Sequence, residues 1–261
     1  MIILKIEDAS KNFGGVRAVD AVDADIEEGK IVSIIGPNGA GKTTLFNLIT
    51  GAYKLTGGAI SFRGRSMNGM APHTIHSLGI SRTFQNIRLF PTMSVLENVM
   101  IGFHSRLKPG VVDILIPSRF RYVEQSMMQR AEAALELLDL LPKAGLKAVS
   151  LPYGEQRRIE IARALVSDPE IVLLDEPSAG MNIGEGKKLM QFITRIRDEM
   201  KKTVIVIEHN MRVVRWISDR IIVLDHGRKI ADGDPEQVLH DSRVVEAYLG
   251  KSGLKAYTRL N

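Results

Sequence analysis

Cysteine is absent from all 261 residues, so disulfides are excluded and the chain is compatible with a reducing cytosol. No run approaches the roughly 18 apolar positions of a membrane-spanning helix. The opening Met1-Ile2-Ile3-Leu4-Lys5-Ile6 is too short for a signal peptide and lacks its basic start, so any membrane role is expected to be peripheral. Internal repeats are missing, as are tracts biased enough to stay disordered. What remains is an ordinary globular composition, 44% hydrophobic and 25% charged, long enough for one large domain or two small ones. The net charge of +5 suits an anionic leaflet or a polyanion, although a solvated surface accounts for it more simply.

The most informative stretch is Gly36-Pro37-Asn38-Gly39-Ala40-Gly41-Lys42-Thr43-Thr44, which follows the apolar run Ile31-Val32-Ser33-Ile34-Ile35. The run reads as a buried strand, the glycines as a tight loop, and Thr43 to Thr50 as a helix. That context makes a G-x-x-x-x-G-K-S/T match a phosphate-binding P-loop. Glycines let backbone N–H groups turn inward around an anion, and the helix start adds roughly half a positive charge there. A nucleoside triphosphate is the expected guest, with Lys42 on the β and γ phosphates and the Thr43 hydroxyl on a bound Mg²⁺.

Before the P-loop, short apolar runs alternate with turns, which predicts an antiparallel β region; Phe13 within it fits the core or a ring that stacks on adenine. After it, Gly57 to Gly64 reads as a strand, and Gly79 to Asn86 as another that ends on the amide of Gln85. From Phe90 to about Ser150 the texture changes to prolines and helical spacing. Met128, Ala131, Leu135, Leu138 and Leu141 predict one amphipathic helix over Gln125 to Leu141, within a mostly helical insertion between two parts of the sheet. Arg106 to Arg121 reads as an irregular basic loop. Leu151-Pro152-Tyr153-Gly154-Glu155-Gln156 opens a helix and is a second candidate anion site, weak on its own.

Ile171-Val172-Leu173-Leu174-Asp175-Glu176-Pro177 is a continuous apolar run closed by two carboxylates. Such a run suits a central parallel strand, and its C-terminal end is where open α/β sheets place ligands. Asp175 there can hold Mg²⁺ through water, and Glu176 can orient or deprotonate an attacking water. Lys187 to Met200 predicts a covering helix. Thr203 to Ile207 predicts a further buried strand, after which His209 falls at the same end as Asp175 and Glu176 and is read as a γ-phosphate contact. Ile221 to Ile230 reads as a hairpin, and the chain closes with a short helix to Leu249 and a basic tail, 251–261.

Five stretches in this order resemble the ATP-binding-cassette ATPases: the P-loop, Gln85, Leu151 to Gln156, Ile171 to Pro177, and His209. The resemblance spans about residues 2 to 250. It implies an α/β fold, a P-loop NTPase (RecA-like) core with an N-terminal antiparallel β region and an inserted helical subdomain. The core would hold about 1–88 and 167–250, and the subdomain about 89–166. It also implies that Phe13 stacks on adenine, that Gln85 joins Thr43 and Asp175 around the metal, and that Leu151, Gly154, Glu155 and Gln156 face the γ-phosphate of a partner's nucleotide. Catalysis would then fall to Lys42, Gln85, Glu176 and His209, with ATP and Mg²⁺ bound.

Within that superfamily the chain is similar to the ATP-binding subunits of bacterial branched-chain amino acid transporters, on Leu89 to Val99, Pro177 to Asn182, Glu208 to Met211 and Val245 to Gly250. This implies a cytoplasmic subunit, peripheral on the inner face of the membrane. It would be bound to permease subunits, paired head-to-tail with a second ATPase in a homo- or heterodimer, and served by an extracytoplasmic solute-binding protein, with no nucleic-acid role. The ATPase of a lipid or lipopolysaccharide exporter and a soluble assembly ATPase of the iron–sulfur cluster type are the alternatives. One departure stands out: the superfamily's Leu-Ser-Gly-Gly-Gln here has Pro152 and Tyr153 for the serine and first glycine. Pro152 offers no hydroxyl and no N–H, so the contact across subunits is expected to lose a donor to a charged group, roughly 1.5–3 kcal/mol. In a heterodimer, two unequal ATP sites are the expected result, the weaker one using this chain's signature.

Overall fold

The computed structural model describes residues 1–83, 85, 87–103 and 117–250, with residues 117–123 by backbone alone. The predicted loop up to residue 116 and the basic tail lie outside the described residues, as do Phe84 and Asn86.

The chain opens with β1 (Ile2–Phe13) and β2 (Val16–Glu27), paired antiparallel across a glycine turn. After β3 (Ile31–Ile35) and α1 (Lys42–Ile49), β4 (Gly57–Phe62) returns to pair with β1 and β5 (Arg65–Ser66) pairs with β4. The result is a four-stranded antiparallel sheet in the order β2-β1-β4-β5. This is the predicted N-terminal β region, and β1 shows why it is legible. Leu4 and Ile6 alternate inward, then a register shift beside Asp8, at φ +51°, carries the inward set on to Ala9.

Next come α2 (Pro72–Leu78), the short strand β6 (Ile80–Arg82), and helices α3 (Val95–Met100), α4 (Pro117–Leu137) and α5 (Tyr153–Leu165). Then β7 (Ile171–Asp175), α6 (Ile183–Asp198), β8 (Thr203–Ile207), α7 (Met211–Ile217), β9 (Arg220–Asp225), β10 (Arg228–Gly233) and α8 (Pro235–Leu239) follow. Residues 242–250 form α9. The second sheet runs β10-β9-β3-β8-β7-β6, parallel except for the β9–β10 hairpin at its edge.

Every residue of β3, β7 and β8 is buried, as expected of parallel strands covered on both faces. The two-residue period sorts them. Val172, Leu174, Val204 and Val206 pack with the helices of the insertion and α6. Ile171, Leu173, Ile205 and Ile207 pack with Val32, Ile34, α1 and the antiparallel sheet. Leu135 and Leu138 of the insertion thus share one continuous core with β7 and β8, so truncating Leu135 to Ala is worth about 2–5 kcal/mol of stability.

Five boundaries differ from expectation. Helix α4 starts at Pro117 rather than Gln125, which turns part of the predicted basic loop into helix; proline suits a first helical turn because its missing N–H has no partner there. It ends at Leu137, because Asp139 takes a left-handed φ of +53° and Pro142 cannot extend a helix. Leu138 is buried from the turn beyond it, and Leu141 begins a separate 3₁₀ turn, so their helical spacing was mimicry by core contacts. Helix α6 starts ahead of Lys187, where Asn182 and Glu185 form a reciprocal capping box, and stops before Met200. Strand β6 ends at Arg82, leaving Gln85 beyond the sheet edge rather than at a strand end.

Candidate functional site

Three neighbouring parallel strands, in the order β3, β8, β7, end on one edge of the sheet and deliver the P-loop, His209 and the Asp175–Glu176 pair to it. The P-loop needs its glycines. A Cβ on Gly36 would lie 2.0 Å from the Leu224 carbonyl oxygen, and one on Gly41 2.3 Å from that of Ala18. Gly41 sits at φ +101° and starts α1 with no side-chain cap, which leaves the first-turn amides open to an anion. Asn38, Gly39 and Thr43 are exposed, Pro37 and Thr44 half-buried, and Ala40 buried against the core.

Lys42 lies along this loop, its Nζ donating to the carbonyls of Gly36 at 2.7 Å and Pro37 at 2.8 Å. Burial pulls its pKa below the usual lysine range, while the charges of Glu176 and Asp175 pull it back up. The ammonium therefore already shares an electrostatic field with the two carboxylates at the end of β7.

Asp175 is 1% exposed. Its Oδ2 accepts from the Arg82 guanidinium at 2.7 Å, and its Oδ1 is buried with no hydrogen-bond partner among the described residues. A buried carboxylate oxygen left without a donor is costly, and a cation is what relieves it. Among the described residues no three or more His, Cys, Asp or Glu side chains converge on a metal position. One carboxylate beside a phosphate loop with a free-standing threonine is the donor set of Mg²⁺, which takes few protein ligands and fills the rest from phosphate and water. The residues fit that ion.

Glu176 follows in a left-handed conformation, φ +46°, which costs a non-glycine residue roughly 1–3 kcal/mol and turns the chain off the sheet. Its carboxylate is half-buried and accepts from Gln85 Nε2 at 3.3 Å. His209 is exposed just beyond β8. Phe13 is 43% exposed at the tip of the β1–β2 hairpin, which sets aside the core alternative. Its ring meets Tyr53 edge-on at 5.2 Å under the Lys11 ammonium.

The stretch at 151–156 stands apart. Leu151 is buried; Gly154 backs onto Glu185, whose carboxylate lies 3.1 Å from where a Cβ would sit. Glu155 is paired with Lys143 at 2.6 Å, and Gln156 donates to the Leu151 carbonyl at 2.8 Å. Among the described residues no hydrogen bond or ion pair joins these four to the P-loop. Helix α5 starts at Pro152 without a side-chain cap.

Sequence reasoning missed two charged residues of this edge. Arg82 donates to Asn47 on α1 at 2.6 Å and to Asp175, clasping the phosphate-loop helix to β7. Arg157, 0% exposed on α5, donates to the Gln85 carbonyl at 2.7 Å and so connects the helical insertion to the same edge. A lone Arg in a strand or an amphipathic helix reads as surface, so only the position three before Gln85 hinted at Arg82.

Known proteins share this sequence pattern and fold. The family model described as ABC transporter matches residues 19–179, and that described as branched-chain amino acid ATP-binding cassette transporter matches 228–253. A high-affinity branched-chain amino acid transport ATP-binding protein LivG from Salmonella typhimurium is 44% identical over 251 residues, covering 96% of this chain and 98% of the relative. A nucleotide-free ATP-binding cassette from an ABC transporter superposes with a TM-score of 0.84 at 33% identity, over 96% of this chain and all of the other. A dimeric cassette in a post-hydrolysis state, bound to ADP and Pi, superposes with a TM-score of 0.74 at 29% identity, over 89% of this chain and 99% of the other.

Proposed function

The chain belongs to the ATP-binding-cassette transporter family and, within it, to the branched-chain amino acid group, and from that premise we propose that it binds and hydrolyses ATP to drive import of branched-chain amino acids. The observation that carries the chemistry is the meeting of an uncapped P-loop helix with the unpartnered Oδ1 of Asp175 at the edge that also holds Glu176 and His209.

In this reading the amides of Gly36 to Thr44 cradle the phosphates, and Lys42 leaves its two loop carbonyls to meet them. Thr43, Gln85 and Asp175 would hold Mg²⁺, which when bound would neutralise phosphate charge. Glu176 aligns the attacking water and His209 touches the γ-phosphate. Phe13, exposed at its hairpin tip, stacks on adenine. Phosphoryl transfer asks little covalent work of a protein, so rate comes from positioning and charge neutralisation. Leu151, Gly154, Glu155 and Gln156 act on a second ATPase subunit's nucleotide, which accords with their separation from this chain's own P-loop. Residues 89–166 act as a helical subdomain on a core of 1–88 and 167–250.

In this reading integral permease subunits carry the solute across the membrane, with this chain on the inner face and a solute-binding protein outside; no helix among the described residues is itself long and apolar enough to cross. The match at 228–253 favours amino acid import over lipid export or an assembly role. The test is co-purification: permease subunits should come down with the chain, and vesicles carrying the complex should take up leucine only with MgATP inside the compartment this subunit faces. Wild-type leucine uptake without ATP would end the reading.

A further inference from the structure

Strands β7 and β8 are paired up to Asp175 opposite Ile207, and the Glu176 N–H still donates to the Ile207 carbonyl at 2.9 Å. There the ladder stops. Glu176 turns away at φ +46°, and Pro177 has no N–H to offer. The next rung is made by a side chain. Glu208 is 0% exposed, and its Oε1 accepts the Ser178 N–H at 3.0 Å while its Oε2 accepts the His209 N–H at 3.2 Å, with the Asn210 N–H at 3.5 Å beside it. Among the described residues its hydrogen-bond donors are all backbone amides. A fully buried carboxylate is expensive unless charge-assisted bonds of this kind satisfy it, so it stays where those amides are.

We propose that Glu208 is a positioning residue for ATP hydrolysis: one buried carboxylate ties the loop after Glu176 to the loop that carries His209, and so fixes the distance between the two groups. Resting on the roles given above to Glu176 and His209, it assigns a task to a residue that touches neither water nor phosphate. Both oxygens are needed, because each holds a different loop. A carboxamide keeps one acceptor and presents an NH₂ group to the other amides; an aspartate keeps the charge but is one methylene too short to reach both. A misplacement of about 1 Å in such a site costs on the order of a hundredfold in rate.

The test is steady-state ATP hydrolysis by the full chain with Glu208→Gln and Glu208→Asp, each also combined with His209→Ala. The expected result is a rate lowered about ten- to a hundredfold, a KM for ATP within about twofold of wild type, and a much smaller further loss when His209 is already gone. Unchanged turnover, a loss carried wholly by KM, or full additivity with His209→Ala would overturn the assignment. If His209→Ala alone hydrolyses at the wild-type rate, the role given to His209 fails instead, a distinguishable outcome. Hydrogen exchange on the unmutated chain needs no variant to fold: the Ser178 and His209 amides should be protected well beyond neighbouring loop amides, and free exchange at both would equally sink the proposal.

Discussion

The sheet edge and the helical insertion are built on opposite terms. At the edge, groups are left wanting: α1 starts uncapped, Asp175 Oδ1 has no partner among the described residues, and Glu176 is held at φ +46°. In the insertion the start of α3 and a fully buried carboxylate are satisfied. Ser94 and Glu97 cap α3 reciprocally, and buried Glu160 is paired with Arg157 and accepts the Arg88 amide. Burial raises the Glu160 carboxyl pKa, an effect the Arg88 amide and the charges of Arg157 and Arg163 oppose. Outside the insertion, α6, α7 and α8 also start on a side-chain cap, from Asn182, Asn210 and Asp234. Helix α2 also starts uncapped, on Ala71 with a proline in its first turn, so what sets the sheet edge apart is that an open helix start and an open carboxylate oxygen stand together there, where one charged ligand can meet both. Helix α5 is the exception inside the insertion, since Pro152 leaves its start open like that of α1.

The sharpest way to break this comparison is at the strained residue. Glu176→Gln should bind ATP normally and hydrolyse it at least about a hundredfold more slowly, seen by nucleotide titration beside phosphate release. Normal turnover would remove Glu176 from the mechanism. Gly41→Ala comes next, because the added methyl meets the Ala18 carbonyl at 2.3 Å and the residue sits at φ +101°. A strain of roughly 1–3 kcal/mol predicts ATP affinity lowered about five- to 150-fold, and an unaltered affinity would mean that the loop is looser than drawn.

A subtler contrast is between the open starts of α1 and α5. If the one at Pro152 serves a partner's nucleotide poorly, Lys42→Ala and the equivalent change in the second ATPase should slow the assembled transporter unequally. Pro152→Ser should raise turnover at the weaker site, by about tenfold at the lower end of the roughly 1.5–3 kcal/mol that a charge-assisted bond is worth. Equal losses for the two lysines would leave the sites equivalent. Smallest of all, Ser94→Ala in the insertion should cost about 1 kcal/mol of folding stability, a fall in Tm of about 2–4 °C, with ATP affinity untouched. A change in affinity would show that the two regions are not separable in this way.

Much of the site was legible because its spacing is local. Gly36 to Thr44 carries strand, loop and helix start within a few residues, and apolar runs announce that Asp175 and His209 follow buried strands. Phe13 was ambiguous because a ring at the end of an alternating strand has the same pattern whether it faces core or solvent. The end of α4 was misplaced for a related reason: Leu138 is as buried as a helical residue although the helix has ended. Glu208 was visible in the sequence, but a carboxylate beside a histidine says nothing about accepting an amide from residue 178.

By itself the sequence determined which segments become strands, where a glycine loop opens a helix without a side-chain cap, and which carboxylates and histidine stand at the ends of the central strands, since each depends on neighbours within about a turn of helix or a few residues of strand. The tertiary structure alone decided that Arg82 clasps Asp175 to α1, that Arg157 grips the Gln85 backbone from the insertion, and that Glu208 joins two loops. Those contacts link residues 30 to 93 positions apart, and no local periodicity encodes them. They arise because β6, β7 and β8 are adjacent in a parallel sheet and burial leaves each charged group one way to be satisfied.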